Sequence, residues 1–266
     1  MPFFEAADFV AESEQLATPT ASLDNATLAT ETQFKNWRIA DILGHLAIWN
    51  EAACMTYETP DDFQRFMTNM LMALQSGQSM REFEATKLGG LSDEAVRARW
   101  MESVADTGRV FADADPKHRV AWGGPSMSLR SCLSARIMET WAHGQAIYDA
   151  LGQQRPRTDR IRHIVALGVN TFAFNFKTHG KTPPDRMPFL QLSAPSGDIW
   201  CHGDEANNDR ICGEAFEFCQ VVTQVRHIDD TNLTVTGDTA RQWMAIAQCF
   251  AGPAHPPPAP GSRFIR

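Results

Sequence analysis

Residue types that bind metal ions recur at helical spacing in this 266-residue chain. Glu139 and His143 are four positions apart, so on a helix they stand one above the other on a single face. Leu133, Ile137, Trp141, Tyr148 and Leu151 fill one stripe of that segment, while Cys132, Ala135, Ala146 and Ala150 share the face of Glu139 and His143. Small neighbours leave room there for an ion and a ligand. Ser131, Ser134, Gln145 and Asp149 are expected on the solvent side. His45 lies on a second helical segment, at the flank of a stripe made by Ile42, Leu46, Trp49 and Ala53. Alone, neither feature is specific: a buried imidazole needs only one or two hydrogen bonds, and an i,i+4 pair is as often a surface pair. Together, two imidazoles and a carboxylate on facing helices form a His₂Glu set with an open position for water or substrate. That set suits catalytic zinc better than structural zinc. Nickel, iron and manganese use comparable donors and stay open as occupants.

Other candidates are weaker. His118, His163, His179, His202, His227 and His255 form no comparable pattern, and Cys201 and His202 fall on adjacent positions of an expected strand, pointing to opposite faces. The six cysteines show no CxxC pairing, which excludes zinc-ribbon and thioredoxin motifs and predicts reduced core thiols. Gly123, Gly124 and Pro125 precede the Glu139 helix. They read first as a tight turn with Ser126 or Ser128 as N-cap, and second as free N–H groups facing an anionic part of a substrate.

The elements that must position these residues follow from the apolar periodicity. Helices are expected at 3–25, 38–57, 60–75, 92–114, 127–151 and 158–178, joined by short turns into a bundle. The pattern changes after Gly180. F-L-Q-L-S-A and D-I-W-C-H read as a hairpin around P-S-G, followed by a helix over 214–226, a strand in N-L-T-V-T and a helix over 238–250. The expected organisation is a helical metal-binding bundle over 1–180, a small α+β domain over 181–252 and a Pro-rich tail over 253–266, extended or disordered.

The stretches W-R-I-A-D-I-L-G-H-L-A (37–47) and R-I-M-E-T-W-A-H-G-Q-A-I-Y-D-A-L-G (136–152) resemble the DinB-like metal-binding superfamily, and within it the mycothiol-dependent maleylpyruvate isomerase family. L-G-V-N-T-F-A-F (167–174), G-E-A-F-E-F-C-Q-V-V-T-Q-V-R-H (213–227) and V-T-G-D-T-A-R-Q-W-M-A-I-A-Q-C-F-A-G-P (235–253) extend the likeness over nearly the whole chain. The resemblance implies an N-terminal four-helix bundle whose metal ligands map onto His45, Glu139 and His143. It also implies a C-terminal domain that lends an arginine to the active site, with Arg226 as the nearest match, although V-T-Q-V-R-H departs from that family's leucine-rich segment ending in Gly-Arg.

Composition bounds the function. The formal charge of −8 provides no polybasic field for nucleic acid or anionic lipid, and no run of 18 apolar residues occurs. The first residues, M-P-F-F-E-A-A-D-F-V, lack a basic segment followed by an apolar run, so a cytoplasmic protein acting on a small molecule is expected, with oligomerisation left open. The leading reading is a metal-dependent isomerase or transferase that activates mycothiol or another low-molecular-weight thiol, Arg226 clamping a substrate carboxylate. The alternatives are a water-activating hydrolase or hydratase, and a non-catalytic metal- or thiol-binding protein.

Overall fold

The computed structural model describes residues 4–124 and 126–265. The chain is mainly α, and it forms two compact units, Met1–Ala150 and Leu151–Arg266.

In the first unit, α1 (Phe4–Thr20), α3 (Ile39–Glu58), α6 (Asp93–Phe111) and α7 (Leu129–Ala150) pack as a four-helix bundle, with the single turn α2 (Asn25–Leu28) beside α6 and α3. The expected helix over 3–25 breaks because the Asp24 carboxylate accepts the Thr27 N–H at 2.8 Å and starts a new turn. On α3 also pack α4 (Pro60–Gln75), opened by a proline at its first position, and α5 (Met80–Leu88). The expected elements omit α5; Ser79 and Glu82 close a capping box at its start, and Gly89 ends it at φ 63°. A short antiparallel pair, β1 (Arg119–Val120) and β2 (Met127–Ser128), precedes α7.

The second unit takes in the segment 151–180, which was expected with the bundle. The expected helix over 158–178 is a 3-10 turn at Asp159–Ile161 followed by α8 (Arg162–Asn170) and α9 (Phe172–Thr178), divided where the Thr171 hydroxyl donates back to the Leu167 carbonyl at 2.8 Å. A Cβ on Gly168 would lie 3.0 Å from Phe218, so α8 rests directly on α10 (Ala215–Val222). The sheet order is β4-β3-β5-β6. The expected hairpin is β3 (Phe189–Ser193) with β4 (Ile199–His202), and β6 is Thr234–Thr236. The strand missing from the expected elements, β5 (Arg210–Glu214), is central: parallel to β3 and antiparallel to β6.

Both later helices are shorter than expected. A turn at Gln224, φ 56°, stops α10, and α11 spans Asp238–Ile246. The α11 N-terminus is capped by Asp209, whose Oδ1 accepts the Thr239 N–H at 2.9 Å; a Cβ on Gly237 would collide with that carboxylate. The Pro-rich tail is hydrogen-bonded to the rest of the second unit and turns at Ala259–Ser262. Gln224 donates to the carbonyls of Ala247 and His255, the Gly261 N–H donates to Asp230, and Arg263 donates to the Gln224 carbonyl. No described helix is long and apolar enough to cross a membrane.

Candidate metal centre

His45 leaves the middle of α3 next to Gly44, where the helix is pressed against its neighbours: a Cβ on Gly44 would sit 2.6 Å from Leu88 of α5. Glu139 and His143 leave α7, whose first turn is capped by Ser128 accepting the Ser131 N–H at 3.2 Å. Ser126 instead binds Arg119, its hydroxyl 2.8 Å from Nη2; Pro125 lies outside the described residues.

The three side chains converge. His143 Nε2 lies 3.1 Å and His45 Nε2 3.7 Å from the same atom, Glu139 Oε2, and the potential donor atoms all lie within 4.8 Å of one another. A tetrahedral ion with bonds of about 2.0–2.1 Å separates its ligands by about 3.3 Å, so the two measured spacings bracket what such an ion needs. His143 Nδ1 is buried without a hydrogen-bond partner. The donor set and spacing therefore fit a divalent cation.

Of the face expected to be solvated, Ser131 is exposed and the rest is closed. Ser134, Gln145 and Asp149 are buried, with Gln145 donating to Asp149 at 3.0 Å, because α1 packs along α7. The small-residue face is the more open one, Ala135, Glu139, His143, Ala146 and Ala150 all being partly exposed, whereas Cys132 is fully buried.

Glu84 of α5, 3% exposed, completes the arrangement, and the sequence reading missed it. Its Oε1 faces His45 Nδ1 at 2.7 Å and accepts the Trp49 indole N–H at 2.9 Å. A carboxylate on Nδ1 holds the proton there and leaves Nε2 free to bind, the usual outer support of a metal-bound histidine. The sequence signals for α5 are its Ser79–Glu82 capping pair and the Gly89 that ends it; nothing local marks Glu84 as inward-facing.

Charges respond accordingly. Burial pulls the His45 pKa down, but the facing Glu84 and Glu139 carboxylates outweigh it and raise it to about 9. Burial alone would raise Glu139, yet its contacts with His143 and His45 hold it well below the usual carboxylate range. His143 is lowered, chiefly by burial and against its bond to Glu139, so it stays neutral. Without an ion, a proton on His45 offsets part of the charge of the two carboxylates.

A hairpin closes over the imidazoles. The Thr32 N–H donates to Trp37 O at 2.8 Å and the Trp37 N–H to Phe34 O at 2.9 Å, with Lys35 at φ 52° and Asn36 at φ 56°, a type I′ turn built without glycine. Its corner residues pack on the site. The Phe34 ring is 4.8 Å from the His143 ring at 85°, and Trp37 stacks parallel to His143 at 6.2 Å and meets His45 edge-on at 5.5 Å.

The model of the mycothiol maleylpyruvate isomerase N-terminal domain family matches residues 9–148, more than half of the chain and all three clustered side chains. The chain belongs to this family. Two relatives, uncharacterized proteins of Mycobacterium tuberculosis strains H37Rv and CDC 1551, are each 36% identical over 247 residues, covering 93% of this chain and 95% of theirs. The crystal structure of the mycothiol-dependent maleylpyruvate isomerase superposes with a TM-score of 0.57 at 15% identity, over 88% of this chain and 93% of that one. A variant of that isomerase with histidine replaced by alanine gives 0.53 at 15% identity, over 83% and 88%. The maleylpyruvate isomerase fold is thereby shared across both units.

Arg226, expected from the resemblance as the nearest match to an active-site arginine, belongs to the second unit. It follows the turn that ends α10, is 9% exposed and donates from Nη1 to the Val225 carbonyl at 3.1 Å.

Proposed function

We propose that this protein is a metal-dependent enzyme of the mycothiol-dependent maleylpyruvate isomerase type, acting with a low-molecular-weight thiol on a small electrophilic acid. The observation that carries the reading is the convergence of both imidazole Nε2 atoms on one oxygen of Glu139, in a chain of that family. His45, Glu139 and His143 would hold the ion, most simply Zn²⁺. Bound there, a divalent ion supplies a Lewis-acid position at which a thiol is held as thiolate at neutral pH.

The chain's own residues set the conditions. Glu84 keeps the His45 proton on Nδ1, and the Phe34 and Trp37 rings exclude water from one side of the imidazoles. The thiol comes from outside, because the bundle's own cysteines are poor candidates. Burial pushes Cys54 up to about 11 and Cys132 up to about 12, so both stay protonated. In the isomerase reaction class, the thiol sulfur bonds to one carbon of an activated double bond. The resulting single bond rotates, and the thiol leaves unchanged. Arg226 is assigned the carboxylate of the acid on the strength of the family resemblance, since a guanidinium accepts a carboxylate in a two-bond geometry that lysine cannot copy.

The test is turnover of maleylpyruvate by the metal-loaded protein with mycothiol. Isomerisation that needs both ion and thiol, and that Arg226→Lys slows with ion content intact, supports the reading. Turnover of an ester or amide without thiol would replace it by the water-activating hydrolase.

A further inference from the structure

Arg136, one turn before Glu139 on α7, is 2% exposed. Its Nε donates to Asn50 Oδ1 at 3.1 Å and its Nη2 to the carbonyl of Leu46, the residue after His45, at 3.3 Å. The guanidinium thus lies between the two helices that carry the clustered side chains. Among the described residues, no carboxylate stands within ion-pairing distance of it. A buried charge normally has an ionic partner, because desolvation costs several kcal/mol per ion. Two neutral oxygens accept two of its five N–H donors and leave its charge without a counter-ion in contact.

The nearby carboxylates, Glu139 and Glu84, attract it from farther away. With a divalent cation in place, those two carboxylates are balanced by the ion, the imidazoles are neutral, and the Arg136 charge is left over. We propose that Arg136 is a positioning residue that makes this centre select a monoanion, such as a thiolate, over a neutral donor at its open ligand position. The inference rests on the metal-centre reading and deepens it by naming the charge class of the ligand. It also explains why a polar side chain as costly as arginine occupies a position that Met or Leu could fill.

The guanidinium also ties α7 to α3 and, through Asn50 donating to Ser103 at 3.1 Å, to α6, so a purely structural role must be separated from the electrostatic one. Co²⁺-loaded wild type, Arg136→Met and Arg136→Lys are titrated at one fixed pH with azide, a monoanion, and with imidazole, a neutral donor, and binding is read from the visible cobalt spectrum. Arg136→Met should lower the azide-to-imidazole affinity ratio by about tenfold or more, the scale of one unit charge at short range in a protein interior. Arg136→Lys, which keeps the charge and loses the fork, should retain most of the ratio even if the fold is less stable. If Arg136→Met does not fold, the Arg136→Lys ratio decides. An unchanged ratio in Arg136→Met, or a ratio in Arg136→Lys reduced by tenfold or more, overturns the inference. Failure of the wild type to bind cobalt would instead contradict the metal-centre reading.

Discussion

Replacing Glu84 by glutamine keeps the shape of the side chain and removes its charge. In the structure, Oε1 takes both the His45 Nδ1–H at 2.7 Å and the Trp49 indole N–H at 2.9 Å, in a buried setting. A hydrogen bond to a charged acceptor contributes about 1.5–3 kcal/mol and a neutral one about 0.5–1.5, so the substitution removes about 1–1.5 kcal/mol of support for His45. That is about a tenfold loss in ion affinity, the lower end of what outer carboxylates contribute. The pH of the assay matters. At neutral pH an ion must displace the His45 proton, which the two carboxylates hold up to about 9, and glutamine weakens that proton's hold as well. The loss should therefore be fullest near pH 9.5, where the proton is gone, and smaller at pH 7. Competition with a chelator of known zinc affinity at both values measures it. Equal affinity for wild type and Glu84→Gln at pH 9.5, or a larger loss at pH 7, would refute the reasoning.

The wild-type protein should bind Zn²⁺ more tightly as pH rises, by about tenfold per pH unit up to about 9 and then no further, as chelator competition will show. Conversely, the metal-free fold gains the His45 pairing in full below its ordinary value of 6.5 and loses it as pH rises through about 9, at most about 3 kcal/mol, measurable by urea unfolding with chelator present. Lys35→Gly should raise unfolding stability by about 0.5–1 kcal/mol by relieving a left-handed backbone, with ion affinity unchanged because Phe34 and Trp37 stay in place. Gln224→Ala should cost about 2–3 kcal/mol, since it strands the Ala247 and His255 carbonyls, and limited proteolysis should then cut within 253–265.

The His45, Glu139 and His143 cluster was legible because its evidence is local: an i,i+4 pair on a small-residue face and one histidine beside an apolar stripe. Glu84 was not, because M-R-E-F-E-A-T-K-L has no sustained apolar stripe and its inward face is set by contact with α3, roughly forty residues earlier. The unit boundary fell after Ala150 instead of Gly180 for a similar reason. The periodicity of α8 is that of any amphipathic helix, and the core it joins is set by long-range contacts such as Gly168 with Phe218 and, from the adjoining α9, Asn175 with Trp243. β5 stayed hidden because R-I-C-G-E shows little alternation and carries Gly213 at φ 146°, although the parallel pairing with β3 makes it central. The cap on α11 reaches back to Asp209 across 30 positions, beyond any local signature.

The most direct measurement is a titration of the Co²⁺-loaded protein with mycothiol, following the sulfur-to-cobalt charge-transfer band in the near ultraviolet. Sulfur at the open position of a His45–Glu139–His143 centre predicts a band that saturates at about one thiol per ion. It should persist in Cys132→Ser, whose sulfur is the one on the same helix, and disappear in His143→Ala. No band with mycothiol, or a band lost in Cys132→Ser, would contradict the account.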